Sequence, residues 1–206
     1  MFPEEYVKQM FRRNRDGAGV AYWDADKKAV VMRKGFMNLS DLLKYLGKIK
    51  NPEKIDLVLH CRIGTSGGNT KLNCHPYPLW EENRYLKGCF DTVMFHNGVL
   101  DNFGYSGELP GENDTQAFIR KCINQLPNNL LRNDAVCSLI ERAIGYNKLV
   151  FLSKDGLTMI GKFIEEDGFV FSHTSYQAPV FPSYSRGFRQ TMLFDDDEEY
   201  FSEIGA

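Results

Sequence analysis

Val93-Met94-Phe95-His96-Asn97-Gly98 is an apolar run that ends in chemistry. The β-branched and aromatic residues predict a buried strand. The three residues after them put an imidazole, a carboxamide and a permissive backbone at its end. A second run of the same kind lies upstream, Leu57-Val58-Leu59-His60-Cys61, and it ends in Arg62-Ile63-Gly64-Thr65-Ser66-Gly67, with Gly64, Gly67, Gly68 and Asn69 expected to make a flexible segment. Downstream, Gly111-Glu112-Asn113-Asp114-Thr115 opens a helical pattern. Between them these stretches offer a cation, a backbone N–H beside a carboxamide, and a carboxylate. Such a set holds a zwitterionic amino acid and stabilises an oxyanion.

Around these stretches the chain reads as segregated helices and strands, an α+β pattern. Pro3-Glu4-Glu5 suits a helix start, with Tyr6, Val7, Met10 and Phe11 at helical spacing. Val20–Trp23 and Ala29–Arg33 predict a hairpin around Asp24-Ala25-Asp26. Asn38 caps a helix to about Lys48, and Ile55–Cys61 is a strand. Phe90–Phe95 reads as one strand, with Val99–Phe103 carrying on past it. Helices are expected over Asp114–Leu126 and Asn129–Ile144. Leu149–Leu152, Leu157–Ile160 and Gly168–Phe171 predict a three-stranded meander, turning at Lys154-Asp155-Gly156 and Glu166-Asp167-Gly168. Composition shifts at Pro179. The expected organisation is a domain over residues 1–178 and an extension over 179–206 that ends in an acidic run, Asp195–Glu199.

The balance of 25 basic and 27 acidic residues, net charge -2, excludes nucleic-acid binding driven by bulk charge. Five cysteines are scattered without a CxxC pair, which argues for free thiols rather than a zinc or redox framework. No apolar stretch approaches the ~20 residues of a membrane span. The start carries no basic-then-apolar leader, so a cytoplasmic protein is expected. No cofactor and no metal are expected: His60, His75 and His96 lack His-x₃-His spacing and read better as histidines supporting a site than as metal ligands.

Each site residue has a plainer reading beside the functional one. Arg62 suits bidentate capture of a carboxylate, and equally a structural ion pair. Asp114 would hold an ammonium, or cap its helix. Asn97 and Gly98 would donate to an oxyanion, or form a type I′ turn; local sequence leaves both open. Cys61 neighbours Arg62, but side chains alternate along a strand, so its thiol is expected to face away. Cys61 and Cys74 read as small buried hydrophobes.

In their order along the chain, Arg62 with Thr65, Asn73 with His75-Pro76, His96-Asn97-Gly98, and Asp114-Thr115 resemble the motifs of the class II glutamine amidotransferase domain. Asp16-Gly17-Ala18-Gly19 resembles that family's early DGxG turn, and Phe171–Tyr176 its late strand. The resemblance spans roughly residues 10–176 and is to the small stand-alone members carried by bacteriophages, for which the location would be the host cytoplasm. It implies an αββα sandwich of antiparallel sheets, the N-terminal-nucleophile hydrolase fold. It implies oxyanion donors at Asn97 and Gly98, and a glutamine-like ligand at Arg62, Thr65, Asn73, His75, His96 and Asp114.

Two departures accompany the resemblance. The family's chemistry uses an N-terminal Cys whose thiolate attacks the glutamine amide while its own amine moves the proton; this chain begins Met1-Phe2. Ser66 and His173 stand where members often have His and Asn. The expectation is a domain without glutaminase activity that acts by binding a host or viral protein, with residues 191–206 as the docking segment. An active glutaminase completed by a preceding Cys-led strand, and a glutamine-binding sensor, are the rival readings. The family's first inner strand is missing from this chain, so its neighbours either close up, accept another segment, or belong to a longer product.

Overall fold

The computed structural model describes residues 2–64, 68–81, 85–100, 109–127 and 129–177. Helix α1 spans Glu4–Arg13, with Glu4 and Glu5 in its first turn and Arg12 and Arg13 in its last, matching the helix dipole at both ends. The hairpin follows as β1 (Ala18–Asp24) and β2 (Ala29–Phe36). Asn38 caps α2 (Leu39–Leu46) by accepting from the Asp41 N–H. Then come β3 (Leu57–Cys61), the short β4 (Tyr77–Pro78), β5 (Lys87–Phe90) and β6 (Thr92–Asn97). Helices α3 (Asp114–Lys121) and α4 (Asp134–Ile144) precede β7 (Lys148–Ser153), β8 (Gly156–Ile160), β9 (Ile164–Glu166) and β10 (Phe169–Phe171).

The fold is mixed α+β with antiparallel sheets. One four-stranded sheet has the order β3-β1-β2-β5 and the other β4-β6-β7-β8. Alternation along the strands sorts their side chains into three apolar clusters. Ala21, Val30 and Met32 of the first sheet meet Val93, Phe95 and Leu152 of the second. Ala18, Val20 and Cys61, on the other side of the first sheet, pack with Val7, Phe11, Leu42 and Leu46 of α1 and α2. Met94, Leu149 and Phe151 of the second sheet pack with Phe118, Ile119, Ile140 and Ile144 of α3 and α4. Helices therefore cover the outer face of each sheet. No helix among the described residues is long and apolar enough to cross a membrane.

Three expectations need correction. Phe90–Phe95 is two strands: the chain leaves the first sheet after Phe90, turns at Asp91 and enters the second at Thr92. The meander does not gain its third strand, because Phe169–Phe171 pairs with Ile164–Glu166 in a separate hairpin rather than with β8. That hairpin turns where expected, with Asp167 at φ 53° and Gly168 at φ 75°. The two long helices are shorter, each carrying a separate 3₁₀ turn, at Ile123–Gln125 and Leu130–Arg132. Asp101-Asn102-Phe103 lies outside the described residues.

β3 pairs with β1 on one side, and no described strand pairs with its other side. A cavity of about 460 Å³ runs there instead, between β3, β10 and the edge of the second sheet.

Candidate functional site

The ends of β3 and β6 and the start of α3 meet around a second cavity, of about 290 Å³. Glycines make that meeting close. A Cβ on Gly19 would stand 1.8 Å from the His75 carbonyl oxygen, and one on Gly17 (φ +118°) would stand 2.4 Å from the Cys74 sulfur. The Asp16–Gly19 turn is thereby pressed against Cys74 and His75. It is also tied to Arg62: the Arg62 N–H donates to Gly17 O, the Asp16 N–H donates to Arg62 O, and the Gly64 N–H donates to Asp16 Oδ2 at 2.9 Å.

Arg62, His75, His96, Asn97, Gly98 and Asp114 all line this cavity. Arg62 is 4% exposed, and its Nη1 donates to Asn69 Oδ1 at 3.0 Å. Asp114 is not the cap of α3. Asn113 takes that role, accepting from the Gln116 N–H while Gln116 Oε1 accepts from the Asn113 N–H, a reciprocal capping box. Asp114 Oδ2 instead accepts from the Leu100 N–H at 2.9 Å, which holds the segment after Gly98 against the helix. Asn97-Gly98 makes no hairpin turn, since β6 pairs with β4 and β7. Gly98 has φ +124°, and a Cβ there would stand 2.1 Å from Asn147 Oδ1. Only glycine fits.

Asn73 is buried but does not line the cavity. Its Nδ2 donates to Gly68 O and its carbonyl accepts from the Tyr77 hydroxyl, bracing the loop that carries His75. Thr65, together with Ser66, lies outside the described residues.

Sequence reasoning missed the wiring behind these residues. Asn147 Nδ2 donates to Ile144 O at 2.7 Å, which aims its Oδ1 at His96. An amide oxygen only accepts, so His96 Nε2, 2.8 Å away, carries the proton. His96 Nδ1 is then the acceptor for the Thr115 hydroxyl at 2.7 Å. With its proton committed, Thr115 Oγ1 accepts from His75 Nε2 at 3.3 Å. His75 Nδ1 is left as a buried acceptor without a donor among the described residues, and His60 Nδ1 shares that condition. The rings of His60 and His75 lie 4.3 Å apart, and those of His75 and His96 lie 6.2 Å apart. Burial pushes all three histidines below their ordinary range, His60 to about 3. The floor of the cavity is thus built from uncharged imidazoles. Among the described residues no group of three or more His, Cys, Asp or Glu is placed to hold a metal ion.

Lys34 is a second omission. It is 4% exposed, its Nζ lies 3.9 Å from the centre of the Tyr77 ring, and no hydrogen-bond acceptor among the described residues meets it. Desolvation lowers its pKa to about 7. The signal was present in β2, where Val30, Met32 and Lys34 occupy alternate positions and share the face turned to the other sheet.

Neither sequence-tempting thiol is poised for attack. Cys61 packs with α1 and α2, and burial raises its pKa to about 12. Cys74 is fully buried, and desolvation, the main cause, raises its pKa also. No protein-family model matches this chain, and no curated protein matches it.

Proposed function

We propose that this chain is a class II glutamine amidotransferase-like domain, an αββα sandwich of the N-terminal-nucleophile hydrolase kind, that works by binding rather than by hydrolysis. Its ligands are a glutamine-like amino acid in the polar cavity and a partner protein. The observation that carries the reading is the convergence of Arg62, Asn97, Gly98 and Asp114 on one cavity the size of an amino acid. In this reading Arg62 takes the α-carboxylate, Asp114 the α-ammonium, and the Asn97 carboxamide with the Gly98 N–H the side-chain carbonyl. Hydrolysis would need a thiolate at that carbonyl, and burial holds the thiols of both Cys61 and Cys74 in the neutral form.

The test is calorimetric titration with glutamine alongside an ammonia-release assay. Glutamine is expected to bind without release of ammonia. Arg62→Ala is expected to weaken binding about 10- to 100-fold, the loss of a charge-assisted contact of about 1.5–3 kcal/mol. A folded protein that ignores glutamine overturns the ligand half of the reading. Ammonia release that depends on Cys61 or Cys74 overturns the binding-only half.

A further inference from the structure

The cavity beside β3 offers backbone as well as apolar surface. The Arg62 N–H and C=O both turn towards the β1 side, to Gly17 O and Asp16 N–H, and Asp56 O turns the same way, to the Trp23 N–H. Backbone groups alternate sides along a strand. Leu57, Leu59 and Cys61 therefore turn theirs away from β1, where no described strand meets them. The opposite wall of the groove is β10, whose Val170 is 42% exposed. A small cavity of about 80 Å³ shares Val58, Leu59 and Val170 with the groove, and His60, His96 and Asn97 with the polar cavity. The groove thus leads along β3 to the candidate site. Among the described residues its walls carry two carboxylates, Glu53 and Asp56, at the end of β3 away from that site, and no Lys or Arg.

We infer that this groove receives an extended segment of a partner polypeptide, which adds to β3 as a fifth strand of the first sheet. Its chemistry follows from the walls. Beside Leu57, Leu59 and Cys61 it presents a free strand edge with apolar side chains, because a strand ladder left unpaired is a template for pairing. Beside Glu53 and Asp56 it carries Lys or Arg. The five residues of β3 span about 16 Å at ~3.3 Å per residue, which sets the length of segment that pairs. The chain's own acidic run, Asp195–Glu199, has the wrong sign for that mouth. The inference deepens the partner-binding half of the reading above and does not require an amino acid in the polar cavity.

The experiment uses the full chain and a fluorescein-labelled peptide, Lys-Thr-Val-Ile-Val-Thr, followed by fluorescence polarisation and amide hydrogen exchange. Saturable binding is expected, with slowed exchange at Leu57, Leu59 and Cys61. N-methylation of alternate peptide amides should weaken binding at least tenfold, and Glu in place of Lys at least threefold. Leu59→Pro deletes an outward N–H without touching the β1 ladder, and should weaken binding about tenfold. Val170→Lys, at an exposed wall position that the fold does not need, should do the same and guards against misfolding of the first variant. Equal binding by the N-methylated or Glu-bearing peptide, or unchanged exchange along β3, overturns the inference. So does exchange at these amides that is already slow without peptide, whether it quickens on deleting residues 179–206 or on dilution of a dimer. Glutamine titration of the same samples separates the two readings: peptide indifference with glutamine binding intact sinks this inference alone.

Discussion

β3 belongs to two unlike regions. At its Arg62 end it runs into a net of buried hydrogen bonds in which Asn147, His96 and Thr115 each fix the next one's proton, ending at His75. Along its free side the same strand presents backbone that nothing described has claimed, beside partly exposed apolar side chains. Burial explains the contrast. A buried polar group without a partner costs about 1–3 kcal/mol, so the polar end is densely wired, with His75 Nδ1 and His60 Nδ1 as exceptions among the described residues. A strand edge beside an open groove loses little by waiting, because water serves its N–H and C=O groups. Changes at the polar end should therefore be severe, and changes in the groove mild.

Acid tests this contrast most strongly. His60, His75 and His96 sit below the unfolded value of about 6.5, His60 at about 3. Below pH 6.5 the unfolded chain binds protons that the folded chain refuses, so stability falls as pH falls from 6.5 towards 3. Each histidine contributes up to about 1.4 kcal/mol per pH unit across its window. Urea unfolding between pH 7.5 and 4.5 measures this, and a flat profile over that range breaks the picture of a neutral imidazole floor.

Next in size is Gly19→Ala. Its Cβ has no room against the His75 carbonyl, and backbone on that side cannot swing away as a side chain could. A loss of at least about 3 kcal/mol is expected, at the upper end for overpacking. A variant within 1 kcal/mol of the parent, by the approximate threshold of ordinary surface changes, would show that the turn and the loop are not pressed together.

Lys34→Met reverses the sign. Between pH 7 and 10.5 the unfolded chain holds a proton on Lys34 that the folded chain has released, so the penalty is full below pH 7 and eases as pH rises. The substitution should stabilise the fold by about 1–4 kcal/mol at pH 6, as replacement of a buried charge often does. The gain should shrink towards pH 10; an equal gain at both pH values would assign it to packing alone. Smallest of all, Val170→Ser in the groove wall should change stability by no more than about 0.5 kcal/mol. A larger loss in its urea midpoint would mean that the groove is core.

Much of the fold was legible because its signals are local. The β1–β2 hairpin, the Asn38 cap, the turn at Asp167-Gly168 and the helical spacing of Val7 and Phe11 each depend on residues within a few positions of one another. Partner choice was not legible. β9 has three residues, Ile164–Glu166, too few to show a period, yet it takes β10 away from β8. Asp91 divides two strands with one polar residue, which alternation alone reads as an outward side chain. Within the candidate site, the residues at strand and helix ends could be named in advance. Asn147 could not, because it sits in a turn after α4 and gains its role only through a contact with His96, 51 positions away. Lys34 could have been found by extending the alternation of Val30 and Met32 by one step.

The crossing at Asp91 has a mechanical consequence. β5 is the last strand of one sheet and β6 an inner strand of the other, with a single residue between them. The two sheets are therefore stitched together as well as stacked. To slide one over the other, the β2–β5 ladder must be unzipped or β6 drawn out from between β4 and β7. A pull that shears the sandwich is carried by backbone hydrogen bonds, and the apolar layer between the sheets need only keep out water.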